Sequence, residues 1–479
     1  MRITMVLFAA GSFRKLTTED RNEQQLMTRR NYMNTYTKTM TEGSEFGNII
    51  RFTLPLLLGN LFQQFYNIVD SVIVGQYLGK NALAAVGATG SITYFFYAFC
   101  IGISLGAGIL IAQHFGAGNE NEVKRYITNS AYVIGAFGVV LSVAAYILAP
   151  SLLHLLETPE TIFDSSLGYM RIAVSGTVAV AAYNWINAVM RSLGNSRIPL
   201  FFLIVASVLN VALDLLFVIV FGMGVNGAAL ATIIAQAVSA LSCIIFAFVK
   251  FPQFRFDRRT AALDMKAAGN CISKGIPIAV QNAFISVSMI YLQRTANTFG
   301  DTVIASYTAT MRVEQIIQQP FASLGAALST FVGQNIGAGK TDRCIRGYRL
   351  SMIAMAVFSA VMLVIFMLFG GNIVNIFVED AEVIDIGGKA LKLSACFYLF
   401  LGTIHTTRGV LNGAGDVFYA MVNGFVEVIG RIGFATVLAS IPEIGCWAVW
   451  ATSGLTWFLT GLMSYIRYKG GKWRSHSVT

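Results

Sequence analysis

The chain has 479 residues, 55% of them hydrophobic and only 12% charged, with a mean hydropathy of +0.64 and a formal net charge of +10. A soluble globular domain carries about 25% charged residues, so this balance excludes one. Many apolar runs of about 20 residues point instead to an all-α polytopic membrane protein embedded in a lipid bilayer. The positive charge then reads as basic cytoplasmic loops, and no nucleic-acid partner is expected.

Residues 1–48 are polar and of mixed charge, and read as a cytoplasmic N-terminal tail. The short apolar run within residues 1–10 is a weak match to a signal peptide, and Met40 is an alternative start. Twelve apolar segments follow, at 49–75, 87–112, 127–150, 166–190, 198–220, 227–250, 268–294, 303–332, 347–371, 386–410, 417–440 and 444–467. Alternate loops differ in charge. One set carries Lys124 and Arg125, then Arg255, Arg258 and Arg259, then Lys340, Arg343 and Arg346. The other set is largely acidic, with Glu157 and Glu160, then Glu379, Asp380 and Glu382. The basic set belongs in the cytoplasm, so both termini are expected inside a cell membrane.

The chain repeats itself. Gln113-His-Phe-Gly-Ala-Gly118 recurs as Gln334-Asn-Ile-Gly-Ala-Gly339, 221 residues on. Gly79 finds Gly300, Gly194 finds Gly415 and Arg171 finds Lys392 at the same offset, while Pro55 finds Pro277 at 222. Six segments make one repeat, so both repeats have the same orientation, an architecture of transporters. The expected layout is twelve transmembrane helices in two pseudo-symmetric six-helix lobes, at 49–250 and 268–467. A cytoplasmic linker at 251–267 joins them, and a C-terminal tail occupies 468–479. Pro55, Pro277 and Pro320 fall inside helices and remove backbone bonds there.

An acid in hydrocarbon costs about 2.5–3.5 kcal/mol on insertion scales, so Asp70 in the first segment needs a reason. At about 1.5 Å per residue, Asp70 lies about 28 Å and Asp214 about 25 Å above the basic ends of their segments. Tyr66 and Asn210 each lie one turn below an acid, on the same helix face. Thr232, early in the descending sixth segment, shares that depth. Asn184 and Asn187 in the fourth segment extend the polar lining toward the cytoplasm. Carboxylates, an amide, a hydroxyl and a phenol together suit a hard cation such as Na+. Two acids in a desolvated site also suit a proton carrier. In the second repeat, Arg312, Glu314, Glu427 and Arg431 form either an ion-pair network or a second site.

The six cysteines include no CxxC pair, and the four histidines lack metal-ligand spacing. No Walker or GxGxxG motif is present, which argues against an ATP-driven pump. No nucleophile–base pair suggests an enzyme, and no cofactor is expected.

The stretch from Pro55 to Ala85, with Phe65-Tyr-Asn-Ile-Val-Asp70 and Val74-Gly-Gln-Tyr-Leu-Gly79, resembles the opening of the MATE (multidrug and toxic compound extrusion) transporters. Ser323-Leu-Gly-Ala-Ala-Leu-Ser-Thr-Phe-Val-Gly-Gln-Asn-Ile-Gly-Ala-Gly339 resembles the matching signature of their second half. The resemblance covers about residues 46–470. It implies two six-helix lobes in a V and antiport of cationic or amphipathic small molecules against Na+ or H+. It also implies a cation site of Asp70, Asn210, Asp214 and Thr232, with Tyr66 and Asn187 in the surrounding polar network. One branch of the family adds an acid pair in the second lobe. Here Ser286 and an uncharged stretch near Leu401 stand in those places, which favours coupling through the first lobe. A working monomer is expected. The alternative is a flippase of lipid-linked precursors, which would show a larger, more cationic cavity and extra helices.

Overall fold

The computed structural model describes residues 37–475, which form helices and turns and no strand. The fourteen long helices are α1 (Glu45–Ile73), α2 (Lys80–Gly116), α3 (Glu120–Leu155), α4 (Glu160–Ser175), α5 (Thr177–Ser192), α6 (Arg197–Asp214), α7 (Gly224–Lys250), α8 (Met265–Asn297), α9 (Asp301–Gly337), α10 (Thr341–Asn375), α11 (Ala381–Ala395), α12 (Tyr398–Ala414), α13 (Val417–Ala439) and α14 (Ala448–Lys469). Two of the expected segments are broken. α4 and α5 make one span bent by 45° at Gly176. α11 and α12 meet at Cys396 and Phe397, and Phe397 lies 221 residues beyond Gly176. Neither break carries a proline. At Gly176 the chain runs close against α7, where a Cβ would come within 2.4 Å of Ile233. Counting each broken pair as one, the layout is twelve spans.

Length and composition alone mark seven of the described helices as able to cross a membrane, or eight with the bent pair α4–α5. The remaining spans are less apolar in part because they carry charged residues. α1 carries Asp70, and α9 carries Arg312 and Glu314. As expected, Pro55, Pro277 and Pro320 lie inside α1, α8 and α9.

The repeat is visible in the turns. Gly79 and Gly300, Gly118 and Gly339, Gly194 and Gly415, and Gly224 and Gly445 all have φ between 55° and 89°, in pairs 221 apart. The contact between halves obeys the same symmetry. A Cβ on Gly116 would lie 1.9 Å from the Gln334 carbonyl oxygen, and one on Gly337 would lie 1.8 Å from that of Gln113. Gln113 Nε2 donates to the Gly413 carbonyl and Gln334 Nε2 to the Ser192 carbonyl, both at 2.9 Å. Adding 221 to one member of each set gives the other, so a pseudo-two-fold axis runs between the basic ends of α2 and α9. Further along, Gly102 and Gly106 let α2 touch the backbone of α8 at Ala279 and Gly275.

The halves also exchange helix starts. Ile49 and Phe52 of α1 are buried in the core of the second half. Cys271 of α8, 222 residues beyond Ile49, is buried in the core of the first. The segments expected as tails and linker are docked where described. Lys38 N–H donates to Leu193 O in the first half, and Met40 N–H donates to Gln334 Oε1 in the second. Phe251 and Phe254 enter the first core, and Arg125 of α3, paired with Glu122 on its own helix, also pairs with Asp264 of the linker. Trp473 is fully buried in the second core. The weak signal-like run at 1–10 lies outside the described residues.

Candidate cation site

α1 and α6 run side by side and bring Asp70 and Asp214 close enough for their carboxyl groups to interact. Asp214 is fully buried and Asn210, one turn below, is 2% exposed. Asn210 Nδ2 donates to Thr232 Oγ1 of α7 at 3.3 Å. That bond turns the Asn210 carbonyl oxygen away from Thr232. Asn210 Oδ1, Asp70 Oδ1 and both Asp214 oxygens are buried and meet no donor among the described residues. Buried acceptors of this kind are costly unless something satisfies them. A small cavity of about 20 Å³, large enough for one water-sized guest, touches Asn210, Thr232, Tyr66, Tyr183, Gln63 and Gln236. The oxygen-only donor set fits a hard cation or a proton; no His/Cys/Asp/Glu cluster suited to another metal occurs among the described residues.

Directly beyond each acid the helix widens. Val74–Leu78 and Leu215–Val220 are π-helical and touch each other. Val74 and Val218 are buried there in an apolar cluster with Ile73 and Val225. The acids therefore lie beneath an apolar cover built from the ends of the two helices that carry them and the start of α7. Single π-turns are frequent at functional sites.

The other candidates divide. Tyr66 lies beside the acids and the small cavity. Asn184 spends its amide on the Val180 carbonyl, and the Asn187 carbonyl accepts from Arg191 Nε; neither lines the small cavity. In the second half Glu427 pairs with Arg431 at 3.1 Å. Arg408 of α12, which the segment pattern did not single out, joins the same carboxylate at 3.4 Å. Arg312 is exposed and makes no ion pair with Glu314. Glu314 lines a cavity instead. Two residues apart, they point to different faces of α9. Glu427→Gln would leave fully buried Arg431 and partly buried Arg408 without their counter-charge. It is expected to destabilise the fold by about 3–5 kcal/mol, read as a lower thermal midpoint of the purified protein.

In the second half the places equivalent to the acids are closed. Counting 222 from Asp70 and 221 from Asp214 gives Leu292 and Ala435, which lie in one buried apolar cluster. Their neighbours Tyr291 and Thr436 hydrogen-bond at 2.8 Å.

Two cavities lie between the halves. The one toward the acidic ends of the spans is about 740 Å³ and is lined by Glu314, Tyr94, Tyr307, Met311, Trp450 and Trp457, among others. The one toward the basic ends is about 270 Å³. Beyond it, the Gln113 and Gln334 contacts join the halves.

A duplicated twelve-span helical bundle with cavities between its halves and buried acids in one of them is a membrane transporter, not an enzyme. The chain belongs to the MatE family, whose profile matches residues 55–216 and 277–437. These two matches start 222 and end 221 residues apart, as the repeat does. The probable multidrug resistance protein YpnP of Bacillus subtilis (strain 168) is 27% identical over 437 residues, which cover 91% of this chain and 97% of that protein. The probable multidrug resistance protein NorM of Thermotoga maritima is 25% identical over 440 residues, covering 90% and 93%. The fold matches the outward-facing conformation of a multidrug resistance MATE family transporter of the MOP superfamily. The TM-score is 0.85 at 20% identity, covering 92% of this chain and 100% of that one.

Proposed function

We propose that the protein is a secondary active efflux antiporter of the cell membrane. It exports amphipathic drugs, organic cations among them, in exchange for Na+ or H+, as a monomer with both termini in the cytoplasm. The observation that carries the coupling step is the meeting of half-buried Asp70 with fully buried Asp214, beside the orphaned Asn210 carbonyl. An ion arriving at this cluster draws α1, α6 and α7 onto its ligands and displaces the π-helical cover. α1 and α2 reach from the first half to the second, so rearrangement of the first half alters the cavity between them. The larger cavity offers an aromatic cation the π-faces of Trp450, Trp457 and Tyr307 and the carboxylate of Glu314, with Arg294 on the same wall. Binding of ion and substrate to different states makes each weaken the other, by reciprocal linkage.

A flippase of lipid-linked precursors is the second reading. The smaller cavity is cationic, as that reading requires, but its volume is about 270 Å³ and the described helices make twelve spans without additions. The test uses the full chain in liposomes loaded with ethidium, under a Na+ gradient alone or a proton gradient alone. Export under one of the two and not the other identifies the ion. Export under neither overturns the antiport reading.

A further inference from the structure

The smaller cavity differs in polarity from the cation site. Its wall includes Arg191 of α5, Arg408 of α12, Gln281 and Asn282 of α8, and apolar Ile109 and Ile278, and no carboxylate lines it. Arg191 donates through Nε to the Asn187 carbonyl at 3.2 Å and has no ion pair among the described residues. Arg408 shares Glu427 with Arg431, so two guanidinium groups draw on one carboxylate. Glu314 also acts on Arg431, so three arginines draw on two acids and this region keeps excess positive charge deep in the protein. Intramembrane arginines are expensive and persist where they line a cavity and meet a partner.

The two cavity arginines are related in an unusual way. Asn187 and Arg191 lie one turn apart in α5, and Arg408 and Asn412 one turn apart in α12. Adding 221 to Asn187 gives Arg408, and adding 221 to Arg191 gives Asn412. Each half therefore carries one Asn and one Arg at the equivalent places, in opposite order. The result is one guanidinium from each half on the same cavity, at different heights. A guanidinium presents a planar fork of donors that matches a carboxylate or phosphate. The apolar walls suit a hydrophobic body attached to it.

We infer that the cavity between α2, α5, α8, α9 and α12 is an anion subsite, in which Arg191 and Arg408 hold the carboxylate or phosphate of an amphipathic small molecule. The inference rests on the transport reading only in placing this cavity on the substrate path. It extends the expected substrates from organic cations to amphipaths that carry an acidic group, alone or beside a cationic one.

Three naphthalene probes of one size test it by equilibrium dialysis against the full chain in phosphatidylcholine nanodiscs: 2-naphthoate, neutral 2-naphthamide and 2-naphthylmethylammonium. The wild-type protein is expected to prefer naphthoate over naphthamide by about tenfold or more. Arg191→Gln is expected to reduce that preference to about twofold or less, and Arg191→Lys, which keeps the charge without the fork, to an intermediate value. Absence of the preference in the wild type, or its persistence in Arg191→Gln, overturns the inference. So does parallel loss of naphthamide binding in both variants, because Arg191 would then be holding the cavity's shape. Phosphatidylglycerol nanodiscs and free glycerol phosphate, added as competitors in separate arms, separate a lipid headgroup from a soluble phosphate. Competition by either supports the subsite, and competition by neither, with no naphthoate preference, sinks it. Ethidium export is read separately, so failure of the efflux reading leaves the naphthoate result standing, and the reverse.

Discussion

Asp70→Asn and Asp214→Asn are each expected to reduce gradient-driven ethidium export from proteoliposomes to the level of protein-free vesicles, while the protein remains folded. The substitution is nearly isosteric and removes the charge. Asp214 is fully buried, and neither of its oxygens has a donor among the described residues. The charged form of such a group opposes folding by about 2.5–3.5 kcal/mol on insertion scales. Neutralising it is therefore expected to leave the thermal midpoint unchanged or raise it. Loss of export together with retained or increased stability distinguishes an ion-coupling acid from one that holds the fold. Export unchanged in either variant would place coupling elsewhere, and a fall in stability in both would make the pair structural.

Gly116→Ala and Gly337→Ala form the second test, at the seam between the halves. The added methyl would lie 1.9 Å from the Gln334 carbonyl oxygen in one case and 1.8 Å from that of Gln113 in the other. Both obstacles are backbone of a long helix, so relief requires the basic ends of α2 and α9 to separate. Overpacking of this kind costs about 1–3 kcal/mol, which shifts a two-state population about 5–150-fold. The measurement is the distance between spin labels at Glu120→Cys and Thr341→Cys, with Cys396 and Cys446 replaced by Ser. It is expected to lengthen in either glycine variant, with slower export. Gly118→Ala serves as the control, because a Cβ there meets nothing within 4 Å. It adds backbone strain at φ +72 without touching the other half. An unchanged label distance in both seam variants would show that this contact does not hold the halves together.

Much of this organisation was legible in the residues because it follows from local rules. Apolar length gave the spans, loop charge gave two distinct ends, and a fixed offset gave two halves. Helix rise alone placed Asp70 and Asp214 at one depth, and the structure brings them together with Asn210 and Thr232. What escaped depends on contacts between distant segments. Arg408 lies inside an apolar run, and its acid partner is on another helix. The breaks at Gly176 and Phe397 have no proline to announce them. Docking of the stretch around Met40 rests on backbone bonds to Leu193 and Gln334, which no periodicity reveals. For Arg312 and Glu314 the warning was available, since residues two apart on a helix do not share a face.

The π-turn after Asp70 bears on how the two halves came to differ. From Pro55 to Gly79 the chain advances 24 residues, whereas from Pro277 to Gly300 it advances 23. The first half thus holds one additional residue between these points, in the stretch that contains the π-turn Val74–Leu78. α8, its counterpart, is α-helical from Met265 to Asn297. Descent from one duplicated ancestor accounts for the common frame, and an insertion or deletion of a single codon accounts for the divergence. Only the longer copy carries the acid pair.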